Sequence, residues 1–322
     1  MTPHALWAVA PGECALRPVV LPAAGPSQVR VRSVVGAISR GTERLVVHGR
    51  VPASEHQRMR GPHMEGSFSF PVKYGYVSVG RVASGALPPG TAVFCLHPHQ
   101  SEYVVSVDAV MPLPASTPLD RAVLAPNLET AINIIWDSGA SVGDRVAVVG
   151  GGVVGCLVAW LAGQIPGTEV TIVDPADRSR EAEALGVAWA PNADLLEDHD
   201  VVVHASGHPA GAVTALSIAG NEAVVVEASW FGDHPVSLPL GRAFHSRRLT
   251  LRSSQVGQLP PSRKARWTYR RRMERALALA AAPALDILFT EDIPFRALPT
   301  RLPQVTAAGA PGMCYRVRYP AP

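Results

Sequence analysis

Cysteine is scarce in this chain of 322 residues: Cys14, Cys95, Cys156 and Cys314 stand far apart. That spacing excludes a C-x-x-C zinc knuckle and a local disulfide framework, and the four read as small buried hydrophobes of a reducing compartment. Charge imbalance is also slight. Lys and Arg number 29 against 26 Asp and Glu, a formal net charge of +3, so a strongly electrostatic partner is not the main theme. No run of 18 apolar residues free of charge and turn signals occurs, so no transmembrane helix is expected. The opening MTPHALWAVAPGECALRP lacks a basic start followed by an apolar run, and so does not read as a signal peptide. Repeats and low-complexity segments are missing too. These absences leave a cytoplasmic protein, with neither membrane nor nucleic acid as its expected partner.

What is present is enough apolar material, 47% of the residues, to bury two cores of roughly 150 residues each. The first part is rich in short strands. VRVRSVV at 29–35 alternates apolar and polar residues, and VKYGYVSVGRV, PPGTAVFCL and EYVVSV follow with turn signals between them. This predicts an antiparallel, barrel-like domain over 1–120. The polar stretch 49–70, rich in His, Arg and Met, reads as a long loop, and it is expected to border a substrate cleft between the two domains. From residue 121 the texture changes. RVAVVG, VTIVD, DVVVHASG and EAVVVEASW are continuous apolar strands alternating with helical segments, the pattern of a parallel sheet covered on both faces. The fold class is therefore α/β, with a doubly wound domain over 121–260. Residues 264–282 read as one helix with a basic start. The alternating tail MCYRVRYP suggests that 261–322 returns to complete the first domain.

The sharpest motif is RVAVVGGGVVGCLVAWLA, in which Gly150, Gly152 and Gly155 form G-x-G-x-x-G. A lone match is weak. Here a strand precedes it, a helix follows, and VTIVD ends in Asp174, placed to accept from the ribose hydroxyls of a dinucleotide. Gly150 permits the tight turn, Gly152 the approach of pyrophosphate and Gly155 the packing of helix on strand. The N–H groups of Val153 and Val154 face the anion. Asp174 favours NAD by repelling an added phosphate, while Arg178 and Arg180 keep NADP open. Ser206 and Gly207 close the next strand at its carboxyl end, the ligand side of such sheets.

Taken together, the PGTAVFCL…SEYVVSVDAVMPLP passage, the LETA helix start, the glycine motif and the returning tail resemble the medium-chain dehydrogenase/reductase superfamily. The resemblance implies a GroES-like N-terminal domain, a Rossmann NAD(P) domain and a homodimer paired through the edge region 249–256. It also places Thr130 beneath the nicotinamide and Ser254 among the cofactor contacts. AISRGTERLVVHGRVP followed by FPVKYGYVSVGRV looks like the branch containing bacteriochlorophyllide-type hydroxyethyl dehydrogenases. Zinc members of the superfamily place Cys, His-Glu and a further ligand where this chain has Ser39, Tyr76-Val77 and Pro126-Asn127. These are poor zinc ligands, so no metal is expected.

Without a Lewis acid, hydrogen-bond donors must stabilise charge on the substrate oxygen. The candidates are Thr42 and Glu43, Tyr76, Lys73 (which could lower the Tyr76 pKa or bind an anion), and the His97 and His99 pair as acid or base. The expected activity is hydride transfer between a nicotinamide and a hydroxyl or carbonyl carbon of a small molecule. Reduction of an enone or quinone is the rival enzymatic reading, and a non-catalytic NAD(P)-binding protein the third. Arg263, Lys264, Arg266, Arg270, Arg271, Arg272 and Arg275 read as a solvated helix face.

Overall fold

The computed structural model describes residues 2–320, and the chain divides into two compact units, one running to Pro126 and resuming at Phe289, the other Asn127–Leu288. The first unit opens with strands β1 (His4–Ala10), β2 (Glu13–Pro18) and β3 (Gln28–Ile38), then helix α1 (Arg40–Val47). Short strands β4 (Glu65–Gly66) and β5 (Val72–Lys73) follow, then β6 (Ser78–Gly85), β7 (Ala92–Cys95), β8 (Glu102–Ser106), β9 (Val110–Pro112) and the turn of helix α2 (Leu119–Ala122). The chain then passes along α3 (Ala125–Ser138) into the second unit.

That unit alternates strand and helix as its apolar runs dictate: β10 (Arg145–Val149), α4 (Val153–Gly163), β11 (Glu169–Val173), α5 (Ser179–Leu185), β12 (Ala188–Ala190), β13 (His199–His204), α6 (Pro209–Ile218) and β14 (Ala219–Glu227). After α7 (Ala243–Ser246) come β15 (Thr250–Ser253), α8 (Pro261–Lys264) and α9 (Tyr269–Leu279). The six strands pair in parallel in the order β12-β11-β10-β13-β14-β15. Ala147, Val149, Val202, Leu216 and Val225 form one core beneath the sheet, which is why these strands read as unbroken Val runs rather than alternations.

The chain re-enters the first unit with β16 (Phe289–Pro294), α10 (Leu298–Val305) and β17 (Cys314–Arg318). Its larger sheet has seven strands, β16-β17-β3-β6-β7-β9 with β8 also on β3, and a four-stranded sheet runs β2-β1-β5-β4. β3 carries the alternation seen in the sequence, with Val29, Val31 and Val35 wholly buried.

Three boundaries differ from the sequence reading. The return begins at Phe289 rather than 261, because α9 is tied to the second unit by a buried arginine. Arg272 is 1% exposed and donates to Glu129 at 3.0 Å and Asn133 at 2.5 Å, both on α3. The expected helix over 264–282 is only α9, Tyr269–Leu279, since Thr268 starts it late and its hydroxyl caps α9 by accepting from the Arg271 N–H at 3.1 Å, as N-cap threonines do. And the strand expected through VKYGYVSVGRV is interrupted between β5 and β6, so that Tyr74–Val77 is freed from ladder pairing. Among the described residues no helix is long and apolar enough to cross a membrane.

Candidate functional site

In the first unit the polar candidates gather around the start of α1. Ser39 precedes the helix, and Glu43 in its first turn folds back so that Oε1 accepts from the Ser39 N–H at 2.8 Å. The other oxygen, Oε2, lies 2.9 Å from His99 Nε2. Glu43 and His99 are 2% and 1% exposed, so a carboxylate and an imidazole share a dry environment where their attraction is little screened. His99 Nδ1 is buried with no hydrogen-bond partner among the described residues, an uncommon cost for a polar atom. The Tyr76 phenol donates to Ser39 Oγ and is also hydrogen-bonded to Thr42. Burial pushes its pKa up to about 12, outweighing those two hydroxyl contacts. Tyr76 is therefore a protonated donor at neutral pH.

Two expectations for this cluster are corrected. Lys73 does not depress Tyr76. Its ammonium is buried and engaged by Glu65 and by Gln100 Oε1, the latter at 3.0 Å. Gln100 and Glu65 were missed because neither stands in a motif; only the pairing of β4 with β5, Glu65 opposite Lys73, brings the acid to the lysine. His97 is not a neutral-pH acid either. It stacks on Tyr103 with ring centroids 3.8 Å apart, donates Nδ1–H to the Pro98 carbonyl at 3.0 Å, and burial pushes its pKa down to about 3.

Where thiolate, imidazole and carboxylate ligands would be needed for zinc stand Ser39 and Tyr76, already bonded to each other, and Pro126. Among the described residues no group of three or more His, Cys, Asp or Glu could hold a metal ion.

In the second unit the glycine motif forms a cradle at the carboxyl end of β10. Gly150 has φ +112°, and a Cβ there would lie 2.5 Å from the Ser206 backbone nitrogen, so only glycine lets the two strand ends approach. A Cβ on Gly155 would stand 1.8 Å from the Gly150 carbonyl oxygen, the close helix–strand packing read from the motif. Gly152 is different. It is exposed, a Cβ would meet nothing within 4 Å, and it caps α4 with no side-chain hydrogen bond. The cradle is thus open at the point where the first amides of α4, those of Val153 and Val154, point out, and the end of a helix dipole is ready for an anion. These features fit a dinucleotide pyrophosphate.

Asp174 directly follows β11, and its carboxylate already holds backbone. Oδ2 accepts from the Gly151 N–H at 2.6 Å and Oδ1 from Ala176 N–H at 2.8 Å. A carboxylate offers about four lone-pair sites, so each oxygen retains capacity for a ribose hydroxyl. The Arg178 side chain lies over Gly151, where an added Cβ would come within 2.8 Å of its Cγ. Its Nη1 is 3.5 Å from Glu181, and its buried Nε has no partner among the described residues. Ser206 and Gly207 lie at the end of β13, exposed beside Gly150. Thr130 lies on α3. Ser254 is not with the cradle group: its hydroxyl donates to Asp137 at 2.7 Å and accepts from Asn133 at 3.3 Å, a network that fastens β15 to α3.

No family model matches the chain. It is 35% identical over 89 residues to a 2-dehydro-3-deoxy-L-galactonate 5-dehydrogenase of Pseudoalteromonas atlantica, a match spanning 27% of this chain and 26% of that protein. Among solved structures, L-idonate 5-dehydrogenase of Escherichia coli superposes with a TM-score of 0.79 at 16% identity, covering 99% of this chain and 98% of the other. A Sinorhizobium meliloti protein described as a zinc-binding dehydrogenase and bound to NADP gives 0.79 at 19% identity, with 99% of each chain covered. An E. coli protein described as a short chain alcohol dehydrogenase, complexed with NADH, gives 0.76 at 14% identity, covering 98% of this chain and 99% of that one. The fold is that shared by these dehydrogenase structures: a mixed α/β chain with one unit built on largely antiparallel sheets and one Rossmann-like unit with a parallel sheet.

Proposed function

We propose that the chain is an NAD(P)-dependent oxidoreductase that transfers hydride between the nicotinamide and a hydroxyl or carbonyl carbon of a small polyol-like or alcohol substrate, without zinc. The observation that carries this reading is the open cradle at Gly150–Gly155, with its uncapped helix start and Asp174 beside it. When bound, the nicotinamide supplies the hydride acceptor or donor. The chain's own residues then have separate tasks. The α4 amides and Gly152 seat the pyrophosphate, and Asp174 and Arg178 hold the adenosine end. Asp174 favours NAD, and the unpartnered Arg178 Nε keeps NADP in play.

At the oxygen, the protein needs a group that donates a hydrogen bond and stays neutral. Tyr76 stays neutral, because its proton is held up to about pH 12, and it donates once that single O–H turns from Ser39 Oγ to the substrate oxygen. Thr42 and Ser39 aim it, and the buried Glu43–His99 pair fixes the helix start on which they stand. The zinc-free assignment rests on the donor set: serine, tyrosine and proline cannot supply the three protein ligands that a catalytic zinc keeps. A homodimer joined through β15 is part of the same reading, since that strand is the sheet edge and all four of its residues are exposed. Such an edge calls for a cover.

The test is a turnover screen with both cofactors over secondary alcohols, polyols and their ketones, with enones and quinones alongside. Reversible alcohol–ketone turnover is the expected result. Turnover of enones or quinones alone would replace the reading by the reductase one, and binding without any turnover by a non-catalytic protein.

A further inference from the structure

The parallel register of the second unit sets His204, the last residue of β13, directly opposite Glu227, the last residue of β14. His204 is wholly buried, and its Nδ1 lies 2.7 Å from Glu227 Oε2. The other Glu227 oxygen is fixed by the Ser229 N–H at 2.8 Å. With Nδ1 donating to the carboxylate, Nε2 carries the lone pair, and it faces the hydroxyl of Ser206 at 2.6 Å. Ser206 itself is exposed. The contact is made possible by the first turn of α6: a Cβ on Gly211 would stand 2.4 Å from Ser206 Oγ and 2.6 Å from His204 Nε2. The Phe231 ring stacks on the imidazole at 5.9 Å.

From this geometry we propose a second activity: Ser206 is a nucleophile toward activated carboxylic esters, with His204 as its general base and Glu227 orienting the imidazole. A hydroxyl, an imidazole and a carboxylate in hydrogen-bonded series are the elements of nucleophilic acyl transfer wherever they occur on a fold. The proposal does not rest on cofactor binding.

In the first step Ser206 Oγ forms a bond to the ester carbonyl carbon while its proton passes to His204 Nε2. The tetrahedral species collapses as the carbon–alkoxy bond breaks, and the Nε2 proton leaves with the alcohol. Water then adds to the acyl-serine, giving its proton to His204. The carbon–Oγ bond breaks, and the proton returns to Ser206 as the acid departs. No oxidant or reductant is involved.

The arrangement also sets the speed. The Gly207 N–H, next in the chain after the nucleophile, is held by Ser229 Oγ at 3.0 Å. An engaged oxyanion donor forfeits a factor of roughly 100–1000, so the site is expected to acylate detectably and to turn over slowly.

The experiment uses the full chain without nicotinamide, reacted with an alkyl fluorophosphonate and, separately, with p-nitrophenyl acetate, followed by peptide mapping. Phosphonylation joins Oγ to phosphorus and releases fluoride with the serine proton. Expected are one label per chain, located on Ser206, and none in Ser206→Ala. His204→Gln should slow labelling about 100-fold, the usual worth of a general base. Should that variant not fold, Glu227→Gln, whose side chain is partly exposed, decides by the same rate. Labels confined to other residues, or a Ser206 rate unchanged in the folded variants, would overturn the proposal.

Discussion

Replacing Gly152 by Asp separates the fold from the cofactor site. The backbone there, φ −78° and ψ −178°, suits any residue, and an added Cβ meets nothing within 4 Å. Aspartate is moreover a good N-cap, better than glycine by a few tenths of a kcal/mol. The folded state should therefore keep its stability within about 0.5 kcal/mol, like other unhindered surface changes. Cofactor affinity should fall. A carboxylate about 4 Å from a phosphate charge is repelled by about 1 kcal/mol in bulk water and about 4 kcal/mol at an effective dielectric of 20. Because Gly152 is exposed, the lower half of that range, about 1–2.5 kcal/mol, applies, and a loss of roughly 5- to 70-fold in affinity follows. Paired thermal melts and NADH fluorescence titrations of the purified variant read both quantities. A variant that melts like the parent and binds NADH as tightly would refute the assignment of the pyrophosphate to the α4 start. By contrast, Gly155→Ala places its Cβ 1.8 Å from a carbonyl oxygen and should lower stability by about 1–3 kcal/mol, as overpacking does.

Tyr76→Phe should cut turnover by on the order of 100-fold, the worth of one oxyanion donor, with little change in cofactor affinity; wild-type turnover would remove Tyr76 from the mechanism. Arg272→Met leaves Glu129 buried without its charge partner, and burial already raises that carboxyl. A loss of about 3–5 kcal/mol in denaturant melts is expected, and a change under 1 kcal/mol would contradict the anchoring role. His97 gives a pH signature. Its folded pKa is depressed to about 3 from the ordinary 6.5, so below 6.5 the unfolded chain takes up a proton that the native state refuses. The stability it contributes is complete above about pH 6.5 and is lost as the pH falls toward 3, at up to about 1.4 kcal/mol per pH unit. His97→Phe should flatten that slope between pH 6 and 4 in parallel melts; an unchanged slope would mean that His97 protonates freely in the fold.

Much of the second unit was legible because its signals are local. Unbroken Val runs, three spaced glycines and Asp174 each report on a few neighbouring residues, and the parallel sheet follows from them. The strands of β3 and β17 were likewise visible in their alternation. What escaped depends on register and burial. Nothing near Lys73 names Glu65 or Gln100 as its holders, and nothing in DVVVHASG says that His204 will meet Glu227 rather than solvent. The basic run misled for the same reason: one of its arginines, Arg272, is among the most buried large side chains of the chain, and its partners lie on a helix more than a hundred residues earlier. Thr268 was readable as a cap and was passed over because the helical pattern continues across it. His97 and His99 look alike in sequence, yet one stacks on Tyr103 as a neutral ring and the other pairs with Glu43.

The central claim is hydride transfer that relies on hydrogen-bond donors in place of zinc. Its most direct test is the rate of nicotinamide reduction by secondary alcohols and polyols before and after exhaustive dialysis against a strong chelator. The account predicts the same rate in both samples, with far less than one zinc per chain in each. A rate that vanishes on chelation and returns with added zinc would contradict it.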